Sequence, residues 1–166
     1  MRTTTSSFSL PESMVNNARE ILMFRIKGKK EESVMENRVE KVAAEAEGLY
    51  RSGKMHCAEA VLTAVMRNFI PAAEEEMVRL AAGFGGGSGA GCICGAVVGG
   101  TMAFGLIFAA DRARVKRLTK ELHRWFREEY GATCCKIILK THRKICYELT
   151  GKVAGRVTEM VLSEKI

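Results

Sequence analysis

The chain has 166 residues, 47% hydrophobic and 27% charged, with two prolines, six cysteines and a formal net charge of +7 at pH 7. That length suits one domain that buries a core without disulfide staples, and the Ala-, Leu-, Glu- and Lys-rich, proline-poor composition leans towards helix. Six cysteines are too few for a secreted disulfide scaffold, and the stretch from Met1 to Phe8 lacks the apolar core of a signal peptide, so a reducing cytoplasm is the expected setting.

Ser9 and Glu12 have the spacing of a capping box, with Pro11 in the first turn, which predicts a first helix from about Leu10 to Ile26 ending near Gly28. A charged joint, Lys27 to Glu32, leads into a second helix. Its apolar residues Met35, Val39, Val42, Ala46 and Leu49 recur in steps of four and three. Such a stripe serves as bundle core or as a partner-helix contact, and the second use would make a homo-oligomer. Ser52 and Gly53 end it. Cys57 opens the next helix and shares a face with Val61, Ala64 and Val65. Pro71 breaks that helix and starts another, with Glu74, Glu75 and Glu76 near its positive end, closing at Gly83.

From Leu80 to Ala110 there is no charged residue, and ten glycines fall in the run. Its length would suit a membrane span, but consecutive glycines would leave backbone groups unpaired in lipid. No membrane insertion is therefore expected. A buried central helix from about Cys94 to Ala110 accounts for the same all-round hydrophobicity, and Gly95 and Gly99, four residues apart, would let a neighbouring helix come close. The preceding glycines lack the Lys-Ser/Thr of a phosphate loop and follow no strand, which argues against nucleotide binding.

Asp111 to Tyr130 is amphipathic, with Val115, Leu118, Leu122, Trp125 and Phe126 opposite Arg and Lys, and Gly131 ends it. A short helix from about Thr133 carries Cys134, Cys135, Ile138 and Leu139. The last helix has Cys146, Leu149, Val153, Val157 and Met160 on one side. No strand pattern or internal repeat is present. The expected fold is all-α: a single-domain helical bundle of about seven helices around a buried central helix, with residues 1–36 as a helical extension and 37–166 as the main domain.

Basicity belongs to the C-terminal third: Asp111 to Ile166 holds 14 Lys and Arg against 7 Asp and Glu, whereas the first 110 residues balance. Solvated helix faces explain such charge, as does docking of an acidic partner. Nucleic acid is not expected, because no zinc finger, aromatic-interleaved basic strand or arginine-rich arm accompanies it.

Cys57, Cys94, Cys135 and Cys146 each fall near the start of a predicted helix. Free N–H groups and the dipole there favour thiolate, the form that attacks disulfides and binds metals. A lone buried cysteine is usually a small hydrophobe; four in first turns point instead to one shared site. Cys92-Ile93-Cys94 and Cys134-Cys135 lack Cys-x-x-Cys spacing, so spacing alone names no cofactor. His56 and His142 neighbour these cysteines but are expected at the solvated surface, as is His123.

Cys57-Ala58-Glu59-Ala60-Val61-Leu62, the glycines of 84–87, Cys94-Gly95-Ala96-Val97-Val98-Gly99 and two spaced C-terminal cysteines resemble the C_GCAxxG_C_C family, named for suspected redox activity. The resemblance runs from about Val39 to Val161. It carries the four family cysteines onto Cys57, Cys94, Cys135 and Cys146, with Cys135 preferred over Cys134 by its spacing from Gly131. Cys92 is an addition, a spare resolving thiol or filler. The resemblance implies a redox site with Gly95, Ala96 and Gly99 as cofactor-binding positions. The four cysteines would hold an iron–sulfur cluster for electron transfer, or zinc, with an acidic redox protein as partner. Thiol–disulfide exchange with no cofactor is the alternative, and a non-catalytic interaction module with structural cysteines is the second.

Overall fold

The structure is a computed structural model that describes residues 12–73, 75–142 and 145–164. The expected capping box at Ser9 and the acidic position Glu74 lie outside the described residues. The chain divides into two compact units, Met1–Glu36 and Asn37–Ile166. Seven α-helices make up the described chain: α1 (Glu12–Arg51), α2 (Cys57–Phe69), α3 (Glu76–Arg79), α4 (Gly95–Ile107), α5 (Arg112–Tyr130), α6 (Cys135–Thr141) and α7 (Cys146–Ser163). The fold is all-α, 81% helical. Among the described residues the only β-type pairing is an isolated antiparallel bridge between Ile93 and Cys134. No described helix is long and apolar enough to cross a membrane.

Two expectations about element boundaries are corrected. Gly28 does not end a helix, because α1 continues through it. One glycine costs only about 1 kcal/mol relative to alanine, and the flanking Lys29, Lys30, Glu31 and Glu32 are good helix formers. After Pro71 only the single turn of α3 forms, followed by a 3₁₀ turn at Ala82–Phe84, rather than one helix reaching Gly83.

Within the second unit, the stripe at the end of α1 is core. Val42 and Ala46 are fully buried. A Cβ placed on Gly151 of α7 would stand 3.0 Å from the Ala43 carbonyl oxygen, and one on Gly155 would meet Ala43 and Val39 at 3.4 and 3.5 Å. The two glycines thus let α7 lie close along α1. Of the two uses expected of the Met35–Leu49 stripe, bundle core is the one that Val42 and Ala46 serve. Met35 belongs to the first unit, where it is exposed.

Helix α4 is central to the unit, as its uncharged sequence predicts. On one side Gly99 brings α4 against α2, where a Cβ would collide with the Ala58 carbonyl oxygen. On the other side Gly100 faces Val157 of α7 and Leu122 of α5, at 2.7 and 2.9 Å from a built Cβ. Phe104, Val97, Leu122, Phe126 and Val157 are fully buried around it. Each such side chain contributes roughly 1.5–3 kcal/mol by leaving water, which is why the bundle needs no staple. The buried hydroxyls of Thr150 and Thr158 donate to the carbonyls of Cys146 and Ala154, so neither is left unpaired inside α7. Helix α5 starts at Asp111, whose carboxylate accepts from the Arg114 N–H, and stops at Gly131 in the left-handed conformation.

Candidate cysteine site

Four helices of the second unit start at one cavity. Cys57 is the first residue of α2, Cys135 the first of α6 and Cys146 the first of α7, while Cys94 is the N-cap of α4. All four line a cavity of about 290 Å³, together with Tyr50, His56, Gly86, Ile138, Leu139 and Leu149. That volume is near the lower end of ligand-binding cavities, roughly 300 Å³. A groove of about 350 Å³ on the outer side of α2 is lined by charged residues including Glu59, Arg67, Glu75 and Arg79, and contains no cysteine.

The glycine segment makes the convergence geometrically possible. Gly86, Gly87, Gly89 and Gly91 all have positive φ, and Ser88 joins them at 59°. Two of these glycines are also needed for space. A Cβ on Gly87 would stand 2.7 Å from the Cys135 Cβ, and one on Gly91 would strike the Lys136 side chain. The loop can therefore fold back onto α6. There the Cys94 N–H donates to the Thr133 carbonyl at 2.8 Å, and the Cys135 N–H donates to the Cys92 carbonyl at 2.5 Å. These two bonds tie the start of α4 to the start of α6. Gly95 opens space towards α2, since a Cβ there would lie 2.6 Å from the Cys57 sulfur and 2.5 Å from the Phe84 carbonyl oxygen.

Cys57 and Cys94 are buried, whereas Cys135 and Cys146 are half-buried. For Cys57, Cys94 and Cys135 the electrostatics correct the expectation that a helix start favours the thiolate. Burial pushes the Cys94 thiol up to about 12, with a further rise from Cys57, against the lowering effect of the Ala96 and Val97 amides. Cys57 is raised by burial and then by Cys146, opposed by the amides of Ala58 and Gly86. Cys135 is raised by burial, Cys146 and Cys134. The N–H groups are present as expected, but loss of water outweighs them and each thiol disfavours charge on the next. Cys57, Cys94 and Cys135 therefore keep their protons at pH 7.

The remaining predicted positions separate. Gly95 and Gly99 do not line the cavity and act instead by close packing on Phe84, Cys57 and Ala58. Ala96 is fully buried and contributes only its amide to Cys94. Cys134 points away from the cavity, its thiol donating to the Gly91 carbonyl at 3.3 Å, and Cys92 is exposed. Exposed His56 caps α2 through its backbone N–H, which donates to Glu59 at 2.9 Å. His142 stands edge-on to Tyr130 at 6.3 Å and lies outside the cavity lining. His123 is half-buried rather than solvated, and burial followed by Arg127 lowers its pKa.

Tyr50 is the residue that sequence reasoning missed. It lines the cavity, and burial, followed by the neighbouring Cys146, raises its phenol to about 12. Its only signal in the sequence was its place beside Leu49, at the end of the α1 stripe.

An all-α bundle whose helices deliver four cysteines to one cavity defines a class of helical protein built around a thiol site. The chain belongs to the C_GCAxxG_C_C family: the family model described as "Putative redox-active protein (C_GCAxxG_C_C)" matches residues 55–160. No curated protein and no solved structure gives a significant match.

Proposed function

We propose that the four-cysteine cavity binds an iron–sulfur cluster and that the protein transfers electrons through it. The observation that carries this reading is the convergence of Cys57, Cys94, Cys135 and Cys146 on one cavity of about 290 Å³. Among the described residues, no three His, Cys, Asp or Glu side chains are gathered closely enough to hold a single metal ion. A tetrahedral zinc, whose ligands stand about 2.3 Å from the metal, is the smaller alternative for the same four thiolates. The donor set fits a cluster, which takes four thiolates and places its own multi-atom core between them. Such a group supplies one-electron redox chemistry when bound.

The chain's own residues prepare the site. Cys57 and Cys94 anchor it from the buried side, with the amides of Ala58, Gly86, Ala96 and Val97 directed at their sulfurs. Tyr50 adds a hydroxyl beside Cys146. Leu149 and Ile138 are buried in the wall and exclude water. The raised thiols of Cys57, Cys94 and Cys135 are a further support. They are poor nucleophiles near pH 7, whereas a positive metal centre removes the proton from a coordinating thiol.

Thiol–disulfide exchange is the second reading. It is favoured by the half-buried Cys135 and Cys146, the two site thiols nearest to solvent.

Anaerobic reconstitution with ferrous iron and sulfide, followed by metal and sulfide analysis and electron paramagnetic resonance, tests the first reading. Iron and acid-labile sulfide should be retained, and Cys94→Ser should lose them. A colourless protein with four free site thiols would reject the cluster. A reversible Cys135–Cys146 disulfide at a cytoplasmic potential would establish the second reading in its place.

A further inference from the structure

Helix α6 supplies one wall of the cavity and also exposes two aliphatic side chains to solvent. Ile137 is 52% exposed and Leu139 is 39% exposed, and Leu139 also lines the cavity. Two exposed lysines, Lys136 and Lys140, stand one helical turn apart on the face between Ile137 and Leu139. Lys136 extends across Gly91, so the cationic surface continues from α6 onto the glycine loop. Among the described residues neither lysine forms an ion pair, in contrast to Arg67, Arg114 and Arg117 elsewhere on the surface.

The sign of this face is written into the two segments that build it. No Asp or Glu occurs between Glu76 and Asp111, nor between Glu129 and Glu148. The glycine loop and α6 both fall inside these gaps. Basic residues are common all along α5, but there they alternate with Glu121, Glu128 and Glu129. The mouth of the cysteine cavity thus combines exposed aliphatic side chains with lysines and no carboxylate of its own segments.

We infer that α6 and the adjoining glycine loop form the docking surface for a small acidic electron-carrier protein, with Lys136 and Lys140 at its centre and Ile137 and Leu139 on its two sides. Charge complementarity selects the partner: a carboxylate-bearing surface is steered to the lysines, and the aliphatic pair is covered once it arrives. Small, weak interfaces of under about 1,200 Å² are usual for redox encounters, which suits a surface built on one short helix and the adjoining loop. Docking here sets the partner against the wall that carries Cys135. The choice of an electron carrier rests on the redox reading above; the face itself rests on α6 and the loop.

The test is titration of the isotopically labelled full chain with flavodoxin and with a plant-type ferredoxin, both acidic, and with basic cytochrome c as the opposite-charge control. Nuclear magnetic resonance follows the titration at low and high ionic strength. The expected result is binding of an acidic carrier but not of cytochrome c, with shifts centred on α6 and Gly86–Gly91. The double variant Lys136→Glu, Lys140→Glu should weaken binding about tenfold or more at low salt, with the difference shrinking at high salt. Ile137→Ser should weaken binding at both salt concentrations. Charge reversal on α5, at the exposed Lys120 and Arg124, should leave affinity unchanged.

Equal loss from the α5 and α6 reversals would mean non-specific attraction and would overturn the proposal, as would absence of binding to both acidic carriers. A change of oligomeric state in Ile137→Ser without carrier binding would assign the face to a second copy of this chain and overturn it equally. Docking by a protein that fails to take up iron would reject the cluster and leave the docking surface standing. A cluster-loaded protein that binds neither carrier would do the reverse.

Discussion

Gly95 is the residue against which the Cys57 sulfur rests: a Cβ at Gly95 would lie 2.6 Å from that sulfur and 2.5 Å from the Phe84 carbonyl oxygen. The contact joins the start of α4 to the start of α2, and so joins the two buried cysteines of the cavity. Gly95→Ala would force the sulfur and a backbone carbonyl apart. It should cost about 1–3 kcal/mol in chemical denaturation, as overpacking does, and it should also reduce iron uptake. Gly99→Ala collides with the Ala58 backbone and should cost at least as much. Gly105→Ala is the control, because nothing lies within 4 Å of its Cβ. There the gain in helix propensity should stabilise by about 0.4–1 kcal/mol. Equal stability of all three variants would remove the packing role assigned to Gly95 and Gly99.

Stability of the metal-free protein should fall on the alkaline side. Cys94 is raised from its ordinary 9.0 to about 12, and Tyr50 and Tyr130 from 10.0 to about 12, each by burial first. These groups keep their protons in the folded chain and release them on unfolding. The unfolded state therefore binds fewer protons above about pH 9, and stability declines from there towards pH 12. Below pH 9 the contribution is fully present. Melting temperature measured between pH 7 and 11.5 should be flat and then descend, and Cys94→Ala should flatten part of the descent. The same burial predicts slow alkylation of Cys94 at pH 8, where only about one thiol in 10⁴ is ionised, against fast alkylation of the exposed Cys92.

Much of this arrangement was legible in the sequence because it depends on local chemistry. Periodicity marked Leu118, Leu122 and Phe126 as one face of α5, and all three are buried. Glycine spacing in an uncharged run marked α4 as central and closely packed. The four helix-starting cysteines could be named because N-termini follow from Gly, Pro and turn residues nearby. What stayed hidden depended on tertiary placement. The ionisation of Cys94 is decided by how completely neighbouring helices exclude water from it. Tyr50 enters the cavity from α1, before residue 55 where the family match begins, so no motif drew it in. The uninterrupted α1 was missed for a different reason: Gly28 is a weak stop signal when strong helix formers stand on both sides.

Tyr50→Phe removes the hydroxyl that Cys146 meets while keeping the ring that fills the cavity wall. Because Tyr50 is only half-buried, the melting temperature should change little. A polar neighbour of a ligand sulfur matters more to the bound group, and loss of such partners typically costs about 10–100-fold in metal affinity or activity. The reconstituted variant should therefore release iron to a chelator about tenfold faster than the parent. Unchanged release would reduce Tyr50 to a packing residue.

The adjacent pair Cys134 and Cys135 gives the sharpest separation of site from scaffold. Cys135 starts α6 and lines the cavity, while the Cys134 thiol donates to the Gly91 carbonyl at 3.3 Å, outside it. Serine in place of Cys134 retains a donor for that carbonyl, so Cys134→Ser should preserve iron content and fold. Cys92→Ser, at an exposed position, should do the same. Cys135→Ser exchanges a soft thiolate for a hydroxyl at the cavity wall and should lower iron retention about tenfold or more, with no comparable loss of melting temperature. Iron and sulfide content after identical anaerobic reconstitution ranks the three. If Cys134→Ser proves the damaging change, α6 must turn by one residue when the site is filled, and the assignment of Cys135 fails.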